Sequence, residues 1–168
     1  PLRSPVEPPP APRELTLEMR GDIFMARKMY REAVEVYQER AGEIKKQYDD
    51  LKKQSDALRK QKKPKEGAAA RKIEAEELRK KAEAAMPQMA IMANKIGIAY
   101  HQMMQLDAAK KQYEQAIKLN KTYAEAINNL GTVHYARKSY RGAVGQYKKA
   151  LKYSPNSASI YSNLGTAH

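Results

Sequence analysis

The segment AIMANKIGIAYHQMMQLDAAKKQYEQAIKLNKTY, residues 90–123, is followed directly by AEAINNLGTVHYARKSYRGAVGQYKKALKYSPNS, residues 124–157. The two segments are equally long, and Gly97, Gly131 and Gly165 lie 34 residues apart. A fixed period of this length indicates a structural repeat, in which each unit buries its apolar face against its neighbour. This periodicity therefore outranks any single residue as evidence for the fold.

Each of the two segments has the pattern of a helical pair. In residues 124–137 the apolar side chains recur three and four residues apart, which places them on one face of a helix. The same spacing returns in a second helix, and Pro155 ends it because proline disfavours helix in the residue before it. No segment shows the strict alternation that predicts strands, so the expected fold class is all-α.

The pattern resembles the tetratricopeptide repeat, which reads W-x2-L-G-x2-Y…A-x3-F…P. The unit at 124–157 fills these positions with Ile127, Leu130, Gly131, His134, Ala143, Tyr147 and Pro155. The unit at 90–123 fills them with Ala93, Ile96, Gly97, Tyr100, Ala109, Tyr113 and Lys121. Near the start, the same offsets are met by Leu17, Gly21, Phe24, Ala33 and Tyr37. The resemblance implies a right-handed superhelix of units at 14–41, 90–123 and 124–157, followed by the first helix of a fourth at 158–168.

The first two units are separated by more than one period. Their starts, at positions 14 and 90, differ by 76 residues, which is 42 more than the period. Within residues 42–89, small and apolar side chains continue at alternating spacings of three and four, as in a pair of packed helices. The break KKPKEG at 62–67 divides this segment. We therefore predict an inserted antiparallel helical hairpin, called the arm below, that projects about 30 Å.

The N-terminal residues 1–13 are rich in proline and predict an extended linker. The chain begins without Met, as a processed or truncated chain would, and both a cytoplasmic and an exported protein fit this composition. No apolar run is long enough to predict a transmembrane segment. The absence of Cys excludes disulfides, thiol catalysis and cysteine-based zinc sites.

Positive charge is distributed unevenly along the chain. The net charge of +13 divides into zero over residues 1–40, +5 over 41–89 and +8 over 90–168. The densest cluster lies where the arm turns: Arg59, Lys60, Lys62, Lys63, Lys65, Arg71 and Lys72. Such a field attracts acidic partners, although a run of charge is also typical of an ordinary solvated helix. No base-stacking platform or DNA-binding motif accompanies it, so nucleic acid is the least favoured partner.

The resemblance implies that a peptide docks in the groove lined by the first helix of each unit. The residues expected to line it are Asn94, Lys95, Ile98, His101, Asn128, Asn129, Thr132, Tyr135, Ser162 and Asn163. Asn129 and Asn163 lie one period apart, and an Asn side chain offers both a donor and an acceptor to a peptide backbone. Asn is equally common on ordinary surfaces, and that interpretation stays open. Lys95 is expected to add positive charge.

A variant of the family clamps the terminal carboxylate of its partner with Lys and Asn on the first helices. In this chain Glu18 and Asp22 stand at the leading positions of that clamp. The resemblance therefore does not extend to carboxylate recognition.

The sequence gives little support for catalysis. His134 and His168 stand where the family has a packed tyrosine, and no glycine-rich phosphate loop is present. We expect no enzyme, no metal site and no cofactor. The expected function is a protein–protein interaction scaffold that binds an acidic or neutral peptide. The alternatives are a self-assembly element, using the arm and the helix at 158–168 as a route to a homo-oligomer, and a basic nucleic-acid-binding protein.

Overall fold

The structure, a computed structural model, describes Pro5 and residues 14–168. The described residues form eight α-helices and no strand, which confirms the all-α class. In chain order they are α1 (Leu17–Ala26), α2 (Tyr30–Lys60), α3 (Ala68–Glu83), α4 (Met86–Gln102), α5 (Leu106–Leu119), α6 (Ala124–Ala136), α7 (Tyr140–Tyr153) and α8 (Ala158–Ala167). None of these helices combines the length and the apolar character that crossing a bilayer requires. The predicted linker lies outside the described residues, apart from Pro5.

Three helix pairs, α1–α2, α4–α5 and α6–α7, share one packing feature. A tyrosine ring from the second helix lies directly against a glycine of the first, and all three rings are buried. The pairs are Gly21 with Tyr37, Gly97 with Tyr113 and Gly131 with Tyr147. A methyl group on Gly131 would lie 2.5 Å from the Tyr147 ring, well inside van der Waals contact. Glycine is required here because no side chain can share the space with the ring.

The same three pairs are joined by turns of one backbone shape. Each turn has one residue in the left-handed region although none of them is glycine: Lys28 (φ 58°), Met104 (φ 58°) and Lys138 (φ 61°). In the last turn, the N–H of Ser139 donates to the carbonyl of His134, and the N–H of Lys138 donates to that of Tyr135, both at 2.9 Å. These two bonds satisfy the carbonyls at the end of α6. The repeat thus extends to the turns.

Between α1 and α4 the chain forms a helical hairpin. Helix α2 continues for 31 residues and packs along α3. The Ser55 hydroxyl donates a 2.6 Å hydrogen bond to the carbonyl of Ala75, and both residues are buried. Nearer the other end, Ile44 of α2 belongs to a cluster against which Ala85, just after α3, also packs, so the two helices run antiparallel. That this hairpin is an insertion into a repeat array stays a prediction.

The base of the arm belongs to the same core as the neighbouring helices. Ile44 is buried in one cluster with Tyr37 of its own helix and Met92 of α4. Met89 packs against this cluster as well. The predicted limits of the arm, at positions 42 and 89, therefore pass through a single packed cluster. The division of the chain into units and arm remains a prediction for this reason.

Candidate functional site

The first helices of the pairs, α1, α4 and α6, lie side by side with α8, and polar side chains join each helix to the next. We call the surface of these four helices the first-helix face. Three contacts bridge it: Lys95 with Glu18 at 2.9 Å, Asn129 with Asn94 at 2.9 Å, and Asn163 with Asn128 at 3.1 Å. In both asparagine pairs, Nδ2 of the later residue donates to Oδ1 of the earlier one.

These three contacts occupy one position in the repeat. Both asparagine pairs join residues 35 apart, which is one period plus one residue. Glu18 and Lys95 are 77 residues apart, which is 35 plus the 42 residues of the predicted insertion. The same two repeat positions therefore form the contact at all three boundaries between first helices. The contact is an ion pair at the first boundary and a pair of amides at the other two.

Asn94 is not available to a ligand, which corrects the expectation from the sequence. Its side chain is only 1% exposed because it lies in the interface between α4 and α6. Its Oδ1 accepts from Asn129, and its Nδ2 donates to the hydroxyl of Tyr123 at 3.3 Å. Asn94 therefore holds Asn129 in place from a buried position.

Lys95 does not act as a free positive charge, which is a second correction. Its Nζ lies 2.8 Å from Asp22 and 2.9 Å from Glu18. It also sits over the Tyr37 ring, 5.7 Å from the centroid. Burial by itself would lower the pKa of Lys95, but the hydrogen bonds to the two carboxylates raise it. The ammonium is thus firmly charged and already neutralised by α1.

Tyr37 completes this cluster from the second helix. Its hydroxyl donates a 2.5 Å hydrogen bond to Asp22. Burial raises the pKa of Tyr37 well above its usual value, and the bond to Asp22 adds to the rise. The hydroxyl therefore stays protonated, and the carboxylate that replaces the expected clamp asparagine is held by one tyrosine and one lysine.

The net charge of +8 over residues 90–168 is placed away from the first-helix face. Helices α4, α6 and α8 contain one basic residue of the Lys and Arg type, Lys95, and one acidic residue, Glu125. The other positive residues lie on α5, α7 and the turns. The expected attraction of acidic peptides by the groove therefore loses its basis.

A polar recess of about 440 Å³ lies beside the asparagine pairs, between α6 and the start of α8. Asn128 and Asn129 line it together with Glu125, Ser154 and Ser157. Within the described part of the chain, Oδ1 of Asn129 and Nδ2 of Asn128 have no hydrogen-bond partner. The recess is therefore lined by two amides that each keep one unpaired group, an acceptor on Asn129 and a donor on Asn128, while the other end of each amide is fixed.

Three further predicted residues serve the helices themselves. Ile98 is half-buried against the cluster around Tyr113. His101 is also half-buried, and burial lowers its pKa. The Thr132 hydroxyl donates to the backbone carbonyl of Asn129 at 2.6 Å, so it is satisfied within its own helix. Ile98 and Thr132 therefore offer no free polar group to a ligand.

Tyr135 and Ser162 are the predicted residues with exposed side chains. The Tyr135 ring meets the edge of Tyr140, with centroids 5.3 Å apart, at the turn between α6 and α7. Ser162 lies on α8, one residue before Asn163. Of the ten predicted groove residues, the structure therefore brings three partly exposed amides together, those of Asn128, Asn129 and Asn163.

The basic cluster of the arm divides into two kinds of residue. Arg59 pairs with Glu76 at 3.0 Å and so ties α2 to α3. Arg71 donates to the carbonyl of Glu66 at 3.1 Å and to that of Pro64 at 2.5 Å, which holds the connecting loop. Within residues 14–168, no ion pair is formed by the remaining five: Lys60, Lys62, Lys63, Lys65 and Lys72.

Sequence reasoning missed the asparagine pairing itself. Asn94 and Asn128 also lie one period apart, as Asn129 and Asn163 do. Two periodic asparagines at adjacent positions of the repeat were therefore a detectable signal for a contact between units. The role of Tyr123 as a partner of Asn94 had no such signal.

The chemistry available at the recess is hydrogen bonding by amides and hydroxyls, beside the carboxylate of Glu125. Among residues 14–168, no group of three or more His, Asp or Glu is arranged to hold a metal ion. His134 is half-buried, and burial lowers its pKa, with Lys110 and Arg137 adding to the effect. The arrangement suits the binding of a polypeptide backbone.

Comparisons with known proteins agree with this geometry. A family model described as "TPR repeat" matches residues 97–137 and 131–168. No curated protein matches the chain in sequence.

Three solved structures illustrate the similarity in fold, and in each case 90% of this chain is aligned. The first TPR of Spaghetti (RPAP3) bound to the HSP90 peptide SRMEEVD has 16% identity and a TM-score of 0.58, over 86% of its length. The Sgt2 TPR domain from Aspergillus fumigatus has 20% identity and a TM-score of 0.58, over 74%. The second TPR domain of human RPAP3, in complex with the HSP70 peptide SGPTIEEVD, has 17% identity and a TM-score of 0.57, over 92%. Residues 97–168 therefore match the tetratricopeptide repeat, and the described helices have the fold of these TPR domains.

Proposed function

We propose that this chain is a protein-interaction scaffold that binds an extended peptide on its first-helix face. The observation that carries the proposal is the repeated asparagine pairing, which leaves amide groups free at the polar recess. Spaghetti and the second TPR domain of human RPAP3, which share the fold, have been solved with bound peptides. A peptide lying across α6 and α8 would meet Asn128, Asn129 and Asn163 in succession.

The asparagine pairs hold the binding groups in place before a ligand arrives. Donation from Asn129 to Asn94 fixes the orientation of the amide, so its Oδ1 is set to accept from a peptide N–H. Asn163 is fixed in the same way by Asn128. Ordering a side chain on binding costs about 0.5–1.5 kcal/mol, and this cost is avoided when the amide is already held.

The charge placement favours a neutral peptide over an acidic one, out of the two classes expected from the sequence. Lys95 is neutralised by Glu18 and Asp22, and Glu125 lines the recess. A terminal carboxylate would meet these three acidic groups without a free cation. We therefore propose that recognition depends on the peptide backbone, and that this chain does not clamp a carboxylate terminus.

The test begins with a peptide array probed with the chain, followed by titration calorimetry on the peptides that bind. We expect the Asn129→Ala/Asn163→Ala double variant to weaken binding about five- to hundred-fold, since each lost bond contributes about 0.5–1.5 kcal/mol. Asn94→Ala is the comparison variant: it removes the bond that orients Asn129 but no group that faces the ligand, so it should weaken binding less than the double variant does. Equal affinity of the double variant and the unmodified chain would remove the first-helix face as the binding site.

A second candidate function, self-association, is supported by the exposed side of α8. Gly165 takes the repeat position of Gly131, yet within the described residues no atom lies within 4 Å of where its side chain would begin. Tyr161 of the same helix is 54% exposed. We propose that a helix of a second copy can cover this side of α8. Light scattering across a concentration series tests it, and Tyr161→Glu should lower the mass of any oligomer; a monomer at all concentrations would exclude it.

A further inference from the structure

The arm carries a second concave surface that is separate from the first-helix face. We call residues 58–80, which comprise the end of α2, the loop and most of α3, the arm tip. An open cavity of about 930 Å³ lies there, lined by the aliphatic side chains of Leu58, Ala68 and Ile73. Ile73 is 61% exposed, although isoleucine is among the residues most often buried. A cavity of this size accepts apolar side chains of a partner.

The rim of the cavity is basic. Lys62, Lys72 and Lys80 line it, and none of the three pairs with a carboxylate within residues 14–168. Glu76, which also lines it, is already paired with Arg59 and Arg79. These ion pairs hold the pKa of Glu76 below its usual value, with the bond to Arg79 as the main cause. Glu77 lines the cavity as well, and within residues 14–168 it forms no ion pair. Three unpaired lysines against this one unpaired carboxylate leave the free charge around the aliphatic floor positive.

The loop that carries further lysines is held in position. The guanidinium of Arg71 donates to two loop carbonyls, those of Pro64 and Glu66. A loop held at two points keeps Lys62 in place at the cavity, and Lys63 and Lys65 belong to the same loop. The arm tip thus presents its charges in a defined arrangement around the aliphatic floor.

We propose that the arm tip binds an acidic amphipathic helix of a partner protein, with an apolar side chain in the cavity and its carboxylates at the rim lysines. Two helices with an apolar groove between them are a common receptor for such a helix. Nucleic acid fits less well, because residues 58–80 contain no aromatic ring on which a base could stack. A membrane fits less well because a flat bilayer does not enter a concave cavity.

The experiment uses fluorescence anisotropy with the full chain and a labelled synthetic helix that carries glutamates on one face and leucines on the other. A scrambled peptide of the same composition tests whether amphipathicity matters. The charge variant is Lys62→Glu/Lys63→Glu/Lys72→Glu. Its matched control makes the same charge change on α7, where three lysines are exposed: Lys148→Glu/Lys149→Glu/Lys152→Glu.

We expect the arm-tip triple variant to lower the affinity for the amphipathic peptide about ten- to hundred-fold. The α7 triple variant should change this affinity by less than about threefold. Ile73→Ser should lower the affinity for this peptide about tenfold and leave the affinity for the scrambled peptide unchanged. Asn129→Ala/Asn163→Ala should not alter this binding, since it acts on the other face.

Three results would overturn the proposal. An equal loss in both triple variants would show general charge attraction. Equal binding of the amphipathic and scrambled peptides would remove the role of the cavity. Tighter binding of single-stranded DNA, or of phosphatidylserine vesicles, that the arm-tip triple variant abolishes would assign the surface to that ligand instead.

Discussion

The repeats and the arm are both helical pairs, yet they are packed by different side chains. In the repeats a whole tyrosine ring enters the space left by a glycine, as Tyr147 does at Gly131. In the arm the buried contacts come from small residues such as Ser55 and Ala75. Ion pairs at its surface, including Arg59 with Glu76, supplement them.

This difference indicates which part of the molecule is more stable. A buried aromatic residue removes about 150–250 Å² from water, far more than Ser or Ala can. Exposed ion pairs contribute about 0–1 kcal/mol each. The repeats therefore form the stable part of the chain, and the outer arm is expected to open locally without unfolding them. Four predictions test this contrast, from the largest effect to the smallest.

Removal of a tyrosine ring should produce the largest loss. Tyr147→Ala is expected to lower the free energy of unfolding by about 3–5 kcal/mol, because it leaves a cavity against Gly131 that the helices cannot close. Urea denaturation followed by circular dichroism measures it. Tyr153→Ala on the same helix, where the side chain is exposed, should change stability by less than about 0.5 kcal/mol. Similar losses for the two variants would contradict the packing role of the ring.

The two periodic glycines Gly131 and Gly165 should respond in opposite directions. Gly131→Ala is expected to destabilise by about 1–3 kcal/mol, since the added methyl group collides with the Tyr147 ring. Gly165→Ala meets open space and should stabilise α8 by up to about 1 kcal/mol through helix propensity. Thermal denaturation of both variants provides the comparison. A loss of stability from Gly165→Ala would show that another element covers that side of α8 in solution.

In the arm, Ser55→Ala should have a smaller and local effect. It removes one buried hydrogen bond, which contributes about 0.5–1.5 kcal/mol. Hydrogen exchange should accelerate in α3 and the outer half of α2 and stay unchanged in α6 and α7. Faster exchange throughout the molecule would mean that arm and repeats unfold as one unit.

A change of pH should have the smallest effect on stability, and this effect should be confined to the repeats. Burial lowers the pKa of His101, and also that of His134, below the usual value of 6.5. The unfolded chain then binds protons more readily than the folded one, so the stability of the repeats is full above pH 6.5 and declines as the pH falls below it. The arm contains no histidine. His101→Gln/His134→Gln should flatten the dependence; an unchanged profile would assign it to carboxylates.

Much of the fold could be predicted because the period carries packing information. The spacing of Gly97 and Gly131 marked two positions where helices approach closely, and Tyr113 and Tyr147 of the same repeat pattern fill them. The turns could not be predicted in detail. Their left-handed residues, Lys28, Met104 and Lys138, are not glycines, so the usual signal for this backbone conformation was missing.

The candidate site was predicted less well, for a physical reason. Neighbouring positions on a helix point about 100° apart, so whether Asn94 or Lys95 faces outward depends on how successive units are rotated against each other. The sequence of a single repeat unit does not specify that rotation. The partner of Lys95 was hidden as well, because Glu18 lies on α1, beyond the whole length of the arm.

The ion pair between Glu18 and Lys95 has a consequence for how the chain assembles correctly. Units that resemble one another can dock in the wrong order, with α1 against α6, for example. In that arrangement Glu18 would face Asn129 and Lys95 would lose its carboxylate, whereas two asparagine boundaries could exchange partners without such a loss. A charged pair at one boundary and neutral pairs at the others therefore favour the correct order of units over exchanged orders. We expect Glu18→Asn/Lys95→Asn, which makes all three boundaries alike, to fold into a mixture of arrangements that includes exchanged, domain-swapped dimers.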